Sequence, residues 1–516
     1  MKRIVLSLSL SIAVAFALAS CSGVPKGNGG GGGGGGGNNQ TGSVKVTVIA
    51  DTLPAHPSII SFPVTISSLV FTPTSGTATS VNLNPPVVVD LARVESDTAL
   101  VGAFSGLAAG QYSSITAVVG LPSQITIMND SGSAITKVNN VAITPTCPSA
   151  SICIMNVATT ASEQASVGYT VPSSGGVGVE LDLNLNNIVA LSAGNLDVAF
   201  NNASTLSAFA LPRAGGANFP AQTVEVLEDI TGVVSLGTNS VTITPATATG
   251  RVPVTASTSS AMILNADPSG TLCANPTPGS VSSCVSSNQA ASMDVLLKSD
   301  GTLAVQEIEP LLSTLQDTVE GTVVSINSST QFAMIVSDFI PAATNSRIGT
   351  VHIADPLTVN IGVNPNPFLV DTKGLPVATV APGTLANFVG MTDTTPLRPG
   401  QTVAVHVTSF SAGSPAVIGT DTVTLRWSRF TATPIQPFTS ATFNISGFPS
   451  YFLASGSAEA QVFPGPLTTQ NITNIDGVTS AASMLTTKPV AVRALFIENA
   501  SNSALPAFFV AKIRQH

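Results

Sequence analysis

The sequence predicts an all-β protein built from several modules. Three observations carry this. Short apolar runs alternate with polar residues at a period of two, β-branched residues dominate those runs, and Gly, Pro, Asn, Asp and Ser bound them at close intervals. Val44, Val46 and Val48 alternate with Lys45, Thr47 and Ile49. Further runs are Phe62–Phe71, Val87–Leu91, Ile115–Val119, Val177–Leu185 and Gly232–Ile243. Helical periodicity is confined to two short stretches, Ala158–Ala165 and Leu311–Leu315. Strands so spaced read as sandwiches or small barrels. The 516 residues suffice for about three or four domains.

The elements are justified in chain order. Lys2 and Arg3 precede an apolar stretch, Ile4–Leu18, of the length of a secretion signal. It ends in Leu18-Ala19-Ser20-Cys21, which resembles the bacterial lipobox. The resemblance implies a signal peptide over 1–20, cleavage before Cys21 and acylation of that cysteine. Several acyl chains anchor a protein stably where one does not, at about 0.8 kcal/mol per buried methylene. Ser22 in place of Asp leans the sorting towards the outer membrane. Residues 21–43 carry nine consecutive glycines, Gly29–Gly37, and read as a flexible tether of roughly 25 Å. No Lys-Ser/Thr follows the glycines, so they are not a phosphate loop.

Besides Cys21 there are four cysteines in two local pairs, Cys147 with Cys153 and Cys273 with Cys284. Both lie in loop-like stretches. Two disulfides are the economical pairing for an exported protein, and neither pair has metal-ligand spacing or a His nearby in sequence.

The first domain is expected over 44–213. The segments Val64–Phe71, Val89-Asp90-Leu91 and Leu107-Ala108-Ala109-Gly110-Gln111-Tyr112-Ser113-Ser114-Ile115 resemble the domain-of-unknown-function family 4382. That family occurs in exported bacterial lipoproteins. Val179–Val189 resembles its closing strand, with Asn187 where Ser is common. The resemblance implies a transthyretin/Ig-like β-sandwich and carries over no catalytic residue. Independently, Gly110 supplies backbone freedom before Tyr112, which is expected to bury its ring and bond a nearby backbone group, as in a tyrosine corner.

Small β domains follow at 224–312, 317–433 and, as a degenerate copy, 440–516. Glu228-Asp229-Ile230-Thr231-Gly232 and Asp317-Thr318-Val319-Glu320-Gly321 open the first two alike. With the late strand Gly400-Gln401-Thr402-Val403-Ala404-Val405 they resemble the small barrel-like family 5666. Lys488–Arg493 is the corresponding strand of the third. The copies read as beads joined by Pro-containing linkers such as Thr433–Pro437.

Chemistry is sparse. Gly102-Ala103-Phe104-Ser105-Gly106 lacks the spacing of a nucleophile elbow, and no H-E-x-x-H occurs. Asp182, Asn184 and Asn186 begin like a calcium loop, but Asn187 and Ala193 stand where Gly and Glu are needed. A strand with Leu181, Leu183 and Leu185 inward and the polar residues in solvent accounts for them. Glu307 and Glu309 read as charges guarding an edge strand. Removing Lys2 and Arg3 leaves 16 bases against 27 acids and no basic cluster, so nucleic acid is excluded.

The expected function is a lipid-anchored envelope protein with a structural or binding role: no catalysis, no cofactor, no metal. Its expected partners are the membrane, through its acyl chains, and an envelope protein or polysaccharide. Two rivals remain. A carbohydrate- or matrix-binding module requires an exposed patch of Phe448, Tyr451, Phe452 or Trp427. An extracytoplasmic hydrolase requires His56, His352 or His406 beside a Ser or carboxylate in a cleft.

Overall fold

The computed structural model describes residues 40–515 except 53–57, 121–123, 158–159, 201–203, 260–262, 265–280, 284, 312–315, 343–344, 372–387, 440, 453–457, 465–472 and 499–505. Among the described residues strands make up 61% and helix 4%, which makes the fold all-β. Cys21, the Gly29–Gly37 tether, Cys273, Cys284 and His56 lie outside the described residues.

The N-terminal module packs two four-stranded sheets. One orders Leu206–Ala210, Gly176–Asn184, Thr41–Asp51 and Ala99–Ala108; the other orders Thr160–Val171, Gly110–Gly120, Pro63–Pro73 and Thr79–Asp90. Val44, Val46, Val48, Ile66, Phe71 and Ile115 fill the space between them. Burying alternate residues of each strand is what holds such a sandwich together. Thr160–Val171 is a strand and not the short helix expected at Ala158–Ala165, because it pairs with Gly110–Gly120 along most of its length. Tertiary pairing overrides a short local helical pattern.

Three closed barrels follow, and all three share one pattern of strand pairing. In the first, Thr223–Leu236 pairs with Ser240–Thr244 and Ala290–Lys298. Ser240–Thr244 pairs with Val254–Ser257, and Ala290–Lys298 with Leu303–Pro310. Val254–Ser257 then meets Leu303–Pro310 in parallel and closes the ring, with Ile263–Leu264 beside it. Thr318–Ser328, Gln331–Ile340, Pro356–Ile361, Leu369–Val370, Thr402–Ser411 and Ala416–Arg426 repeat the pattern. So do Ser428–Ile435, Phe443–Ser446, Glu459–Pro464, Asn474–Asp476, Val490–Glu498 and Pro506–Arg514. The third barrel's first strand begins at Ser428, upstream of the expected boundary at 440, and uses residues that read as linker. Closure removes free sheet edges.

The shared Gly of the first two openings has a steric role. A Cβ on Gly232 would stand 2.3 Å from the Thr244 carbonyl oxygen, and one on Gly321 2.4 Å from that of Ile335. In both barrels, glycine lets the first strand approach the second strand's backbone.

Residues 40–516 form one compact unit and not separate beads. The reason lies in the charged residues.

Candidate functional site

Strand alternation sends a residue away from its own core, which is commonly towards water. Here it sends charges towards a neighbouring module. Asp294 lies between the core residues Met293 and Val295, Arg426 between Leu425 and Trp427, and Arg493 between Val492 and Ala494. All three are buried. Burying an isolated ion costs several kcal/mol, so such groups must find partners.

The meeting point is the turn Leu91–Asp97, which leaves the sandwich and enters the junction of the barrels. Asp90 fixes its start: one oxygen accepts from the Phe62 and Ala92 N–H groups and the other from Ser61 Oγ. Burial nevertheless raises the Asp90 pKa. Arg93 donates to the Asp229 carbonyl at 2.7 Å and faces the carboxylates of Asp229, Glu320 and Asp338 at 3.3–3.7 Å. Thr98 donates from N–H to Glu228 and from its hydroxyl to Glu225. Glu95 accepts from Thr431. One turn thereby touches all three barrels.

Around it the charges interlock. Asp229 receives Arg426 at 2.7 Å, Arg429, Arg93 and Arg493. Burial alone would raise its pKa, but these four guanidinium groups hold it well below the ordinary carboxylate range. Arg426 reaches four acids, Asp229, Glu309, Glu320 and Asp371, from three barrel strands and one loop. Lys512 lies 3.0 Å from Glu225 and 2.8 Å from Glu228. Arg514 bonds Asp476 and donates towards the carbonyls of Val94, Glu95 and Asp97. Where acids crowd without enough bases, protons are retained. Burial, with Asp90 and Asp51 nearby, pushes Glu95 up to about 8, and burial pushes Glu228 up to about 7 despite Lys512.

Several sequence expectations need correction. Glu307 and Glu309 do not guard an edge: both are buried, and their strand pairs on both sides. Their carboxylate oxygens lie within 4.8 Å of one another and of Asp371, and Arg426 bonds Glu309 and Asp371. The positive charge at this group is therefore a guanidinium. Asp182 does not face solvent; it is buried and pairs with Arg213, while Leu181, Leu183 and Leu185 face the sandwich core as expected. Trp427, Phe448, Tyr451 and Phe452 are all buried, Phe452 packing tilted or edge-on against Phe430, Phe496 and Phe508, so they form no exposed platform.

Other expectations hold. Tyr112 donates to the Ala108 carbonyl at 3.1 Å, stacks on Tyr169 and follows Gly110, whose φ is +147°. Cys147 and Cys153 are disulfide-bonded with Cα atoms 5.8 Å apart.

Of the histidines, His352 is exposed beside Asp355. His406 is mostly buried, with Nδ1 2.7 Å from Asp421 Oδ1. It borders a cleft shared with Asp317, Asn345, Arg347 and Thr408. Among the described residues no Ser or Cys lines that cleft.

Sequence reasoning missed the charge network. A signal was present: 223–310 holds eight acids and two bases, whereas 428–516 holds five bases and three acids. Opposite signs on successive copies of one barrel mark surfaces that can pair.

Comparison of the chain with protein-family models, curated proteins and solved structures finds no match. The class is given by the fold and the site themselves: an all-β protein of one sandwich and three like barrels, locked by internal ion pairs and carrying a disulfide.

Proposed function

We propose that this protein is a lipid-anchored component of a bacterial cell envelope, held through Cys21 and serving a structural or binding role without catalysis. The supporting observation is the distribution of charge. Among the described residues the exposed bases are Lys137, Arg347 and Lys488, and the exposed acids are Asp130, Asp300 and Glu459. A surface so bare of charge exerts little long-range field. Its contacts are short-range hydrogen bonds from Ser, Thr and Asn, which suits an envelope protein or polysaccharide and not a nucleic acid. The disulfide agrees with an oxidising compartment. The resemblances at Cys21 and in the sandwich point the same way, with the outer membrane favoured. Replacing Cys21 by Ala is expected to move the protein from the membrane to the soluble fraction and to abolish acyl labelling; unchanged membrane association would overturn the anchor.

A second reading, an extracytoplasmic hydrolase, is favoured by one observation. The His406–Asp421 pair leaves Nε2 as the base, the arrangement that orients a histidine in hydrolytic triads. On that reading the purified protein hydrolyses ester or amide substrates and His406→Ala abolishes the activity. Activity that survives the substitution would sink it.

A further inference from the structure

The sequence holds two Asp-Pro bonds, Asp267–Pro268 and Asp355–Pro356. The first lies outside the described residues. The second joins a turn to the third strand of the second barrel, and the chain is fixed on both sides of it. That strand, Pro356–Ile361, pairs with Gln331–Ile340 and with Ala416–Arg426. On the other side the Ala354 N–H donates to the Val336 carbonyl at 2.9 Å. Ala354 is buried with φ of +73°, a left-handed conformation that a side chain disfavours. Such strain persists only where the surrounding structure enforces it.

The groups around this peptide bond match what its scission needs. The Asp355 carbonyl accepts from the Val336 N–H at 2.9 Å. A fixed donor on that oxygen stabilises the oxyanion of a tetrahedral intermediate. The Asp355 carboxyl is held by one oxygen: the His352 N–H donates to Oδ2 at 2.8 Å, and His352 Nδ1 stands 3.5 Å from the same atom. Oδ1 takes no hydrogen bond from any described residue. The side chain is 31% exposed, so water reaches it. A carboxyl oxygen and the carbonyl carbon of one aspartate close a small ring, which makes the attack intramolecular. Pro356 supplies the leaving group, a tertiary amide nitrogen. The fold itself does not demand the acid. In the first barrel the third strand, Val254–Ser257, is entered through Val252-Pro253.

We propose that the protein cuts its own chain between Asp355 and Pro356. Oδ1 of Asp355 attacks the Asp355 carbonyl carbon and the C–N bond to Pro356 breaks. The nitrogen leaves as a secondary amine with a proton from water. The hydroxide left by that water opens the cyclic anhydride on Asp355 to two carboxyl groups, so the net change is the addition of one water. The two pieces stay together, because Arg426 and Arg429 pair with Asp229, and Lys512 with Glu228, across the cut.

The test incubates the folded full chain in detergent at near-neutral pH with protease inhibitors and follows it by denaturing mass spectrometry. Two fragments are expected, the smaller beginning Pro356-Leu357-Thr358. In the folded chain this bond is expected to break about tenfold or more faster than Asp267–Pro268, and in urea the two are expected to break alike. Asp355→Val places here the residue that the first barrel carries before its proline, so the fold is kept, which circular dichroism checks. It is expected to abolish the cut, whereas Asp267→Asn is expected to leave it unchanged. No fragment from the folded protein, or equal breakage of both bonds in it, would overturn the proposal. Cutting that persists in Asp355→Val would overturn it too and assign the scission to a contaminating protease.

Discussion

Asp229 joins more cations than any other acid of the junction, and its geometry is specialised for that. It sits at a bulge in the first barrel's opening strand with φ of +55°, and its N–H donates to Asp294 while Ser292 donates to its Oδ1. The remaining lone pairs face Arg93, Arg426, Arg429 and Arg493. Asp229→Asn keeps the shape and removes the charge, leaving four buried guanidinium groups in mutual repulsion. Breaking a buried pair this way costs about 3–5 kcal/mol. The variant is expected to lose at least that much stability in denaturant melts, and a change under about 1 kcal/mol would mean that water reaches these groups. Sequence inspection picked out Glu228-Asp229 as the opening of a repeat but could not see the role, because pairing across modules leaves no local pattern.

At the scale of the element, the legible features are those set by neighbours in sequence. Alternation in Thr41–Asp51 and the glycine-tyrosine step at Gly110–Tyr112 follow from strand period and backbone sterics, and both were readable. The repeated Gly at 232 and 321 was readable too, since each copy needs the same close approach. The third barrel was only half legible. Its opening strand, Ser428–Ile435, carries Arg429 and no acid, unlike the opening strands of the other copies, and ends in a Pro-containing stretch that resembles a linker. The turn Leu91–Asp97 marks the opposite failure. Only its first residue belongs to the family-like segment Val89-Asp90-Leu91, and its burial against three barrels depends on contacts up to several hundred residues away, such as that of Arg514 with Val94. The side-chain direction of Asp182 was read correctly as away from the core, but whether water or protein lies beyond it, as beyond Glu307 and Glu309, is decided by packing between modules.

At the scale of the whole molecule, buried acids outnumber buried bases among the described residues, and this sets a pH dependence. Glu95 and Asp182 are pushed up to about 8 and Glu228 to about 7, while Asp90, Glu180 and Glu309 are also raised, in each case first by burial. Unfolded carboxyls release their protons near pH 4 to 4.5. Between there and about pH 7 to 8 the folded state holds protons that the unfolded state has lost, so stability falls as pH rises across that window. Asp229 acts in the other direction, since its lowered pKa withdraws support only when pH drops below the ordinary carboxylate range. The melting temperature is therefore expected to be higher near pH 5 than near pH 8.5, and Glu95→Gln is expected to flatten the decline. A melting temperature that climbs steadily from pH 5 to pH 8.5 would contradict the placement of these acids.

The segregation of sign between the first and third barrels also bears on how the chain is made. Synthesis proceeds from the amino end, so the acidic barrel emerges roughly two hundred residues before the arginines and lysine that neutralise it. Until they arrive, its outward carboxylates must stay hydrated or protonated, and the surface that will become the junction repels a second nascent copy of itself. Premature self-association is thereby discouraged during the interval when the chain is most exposed to it.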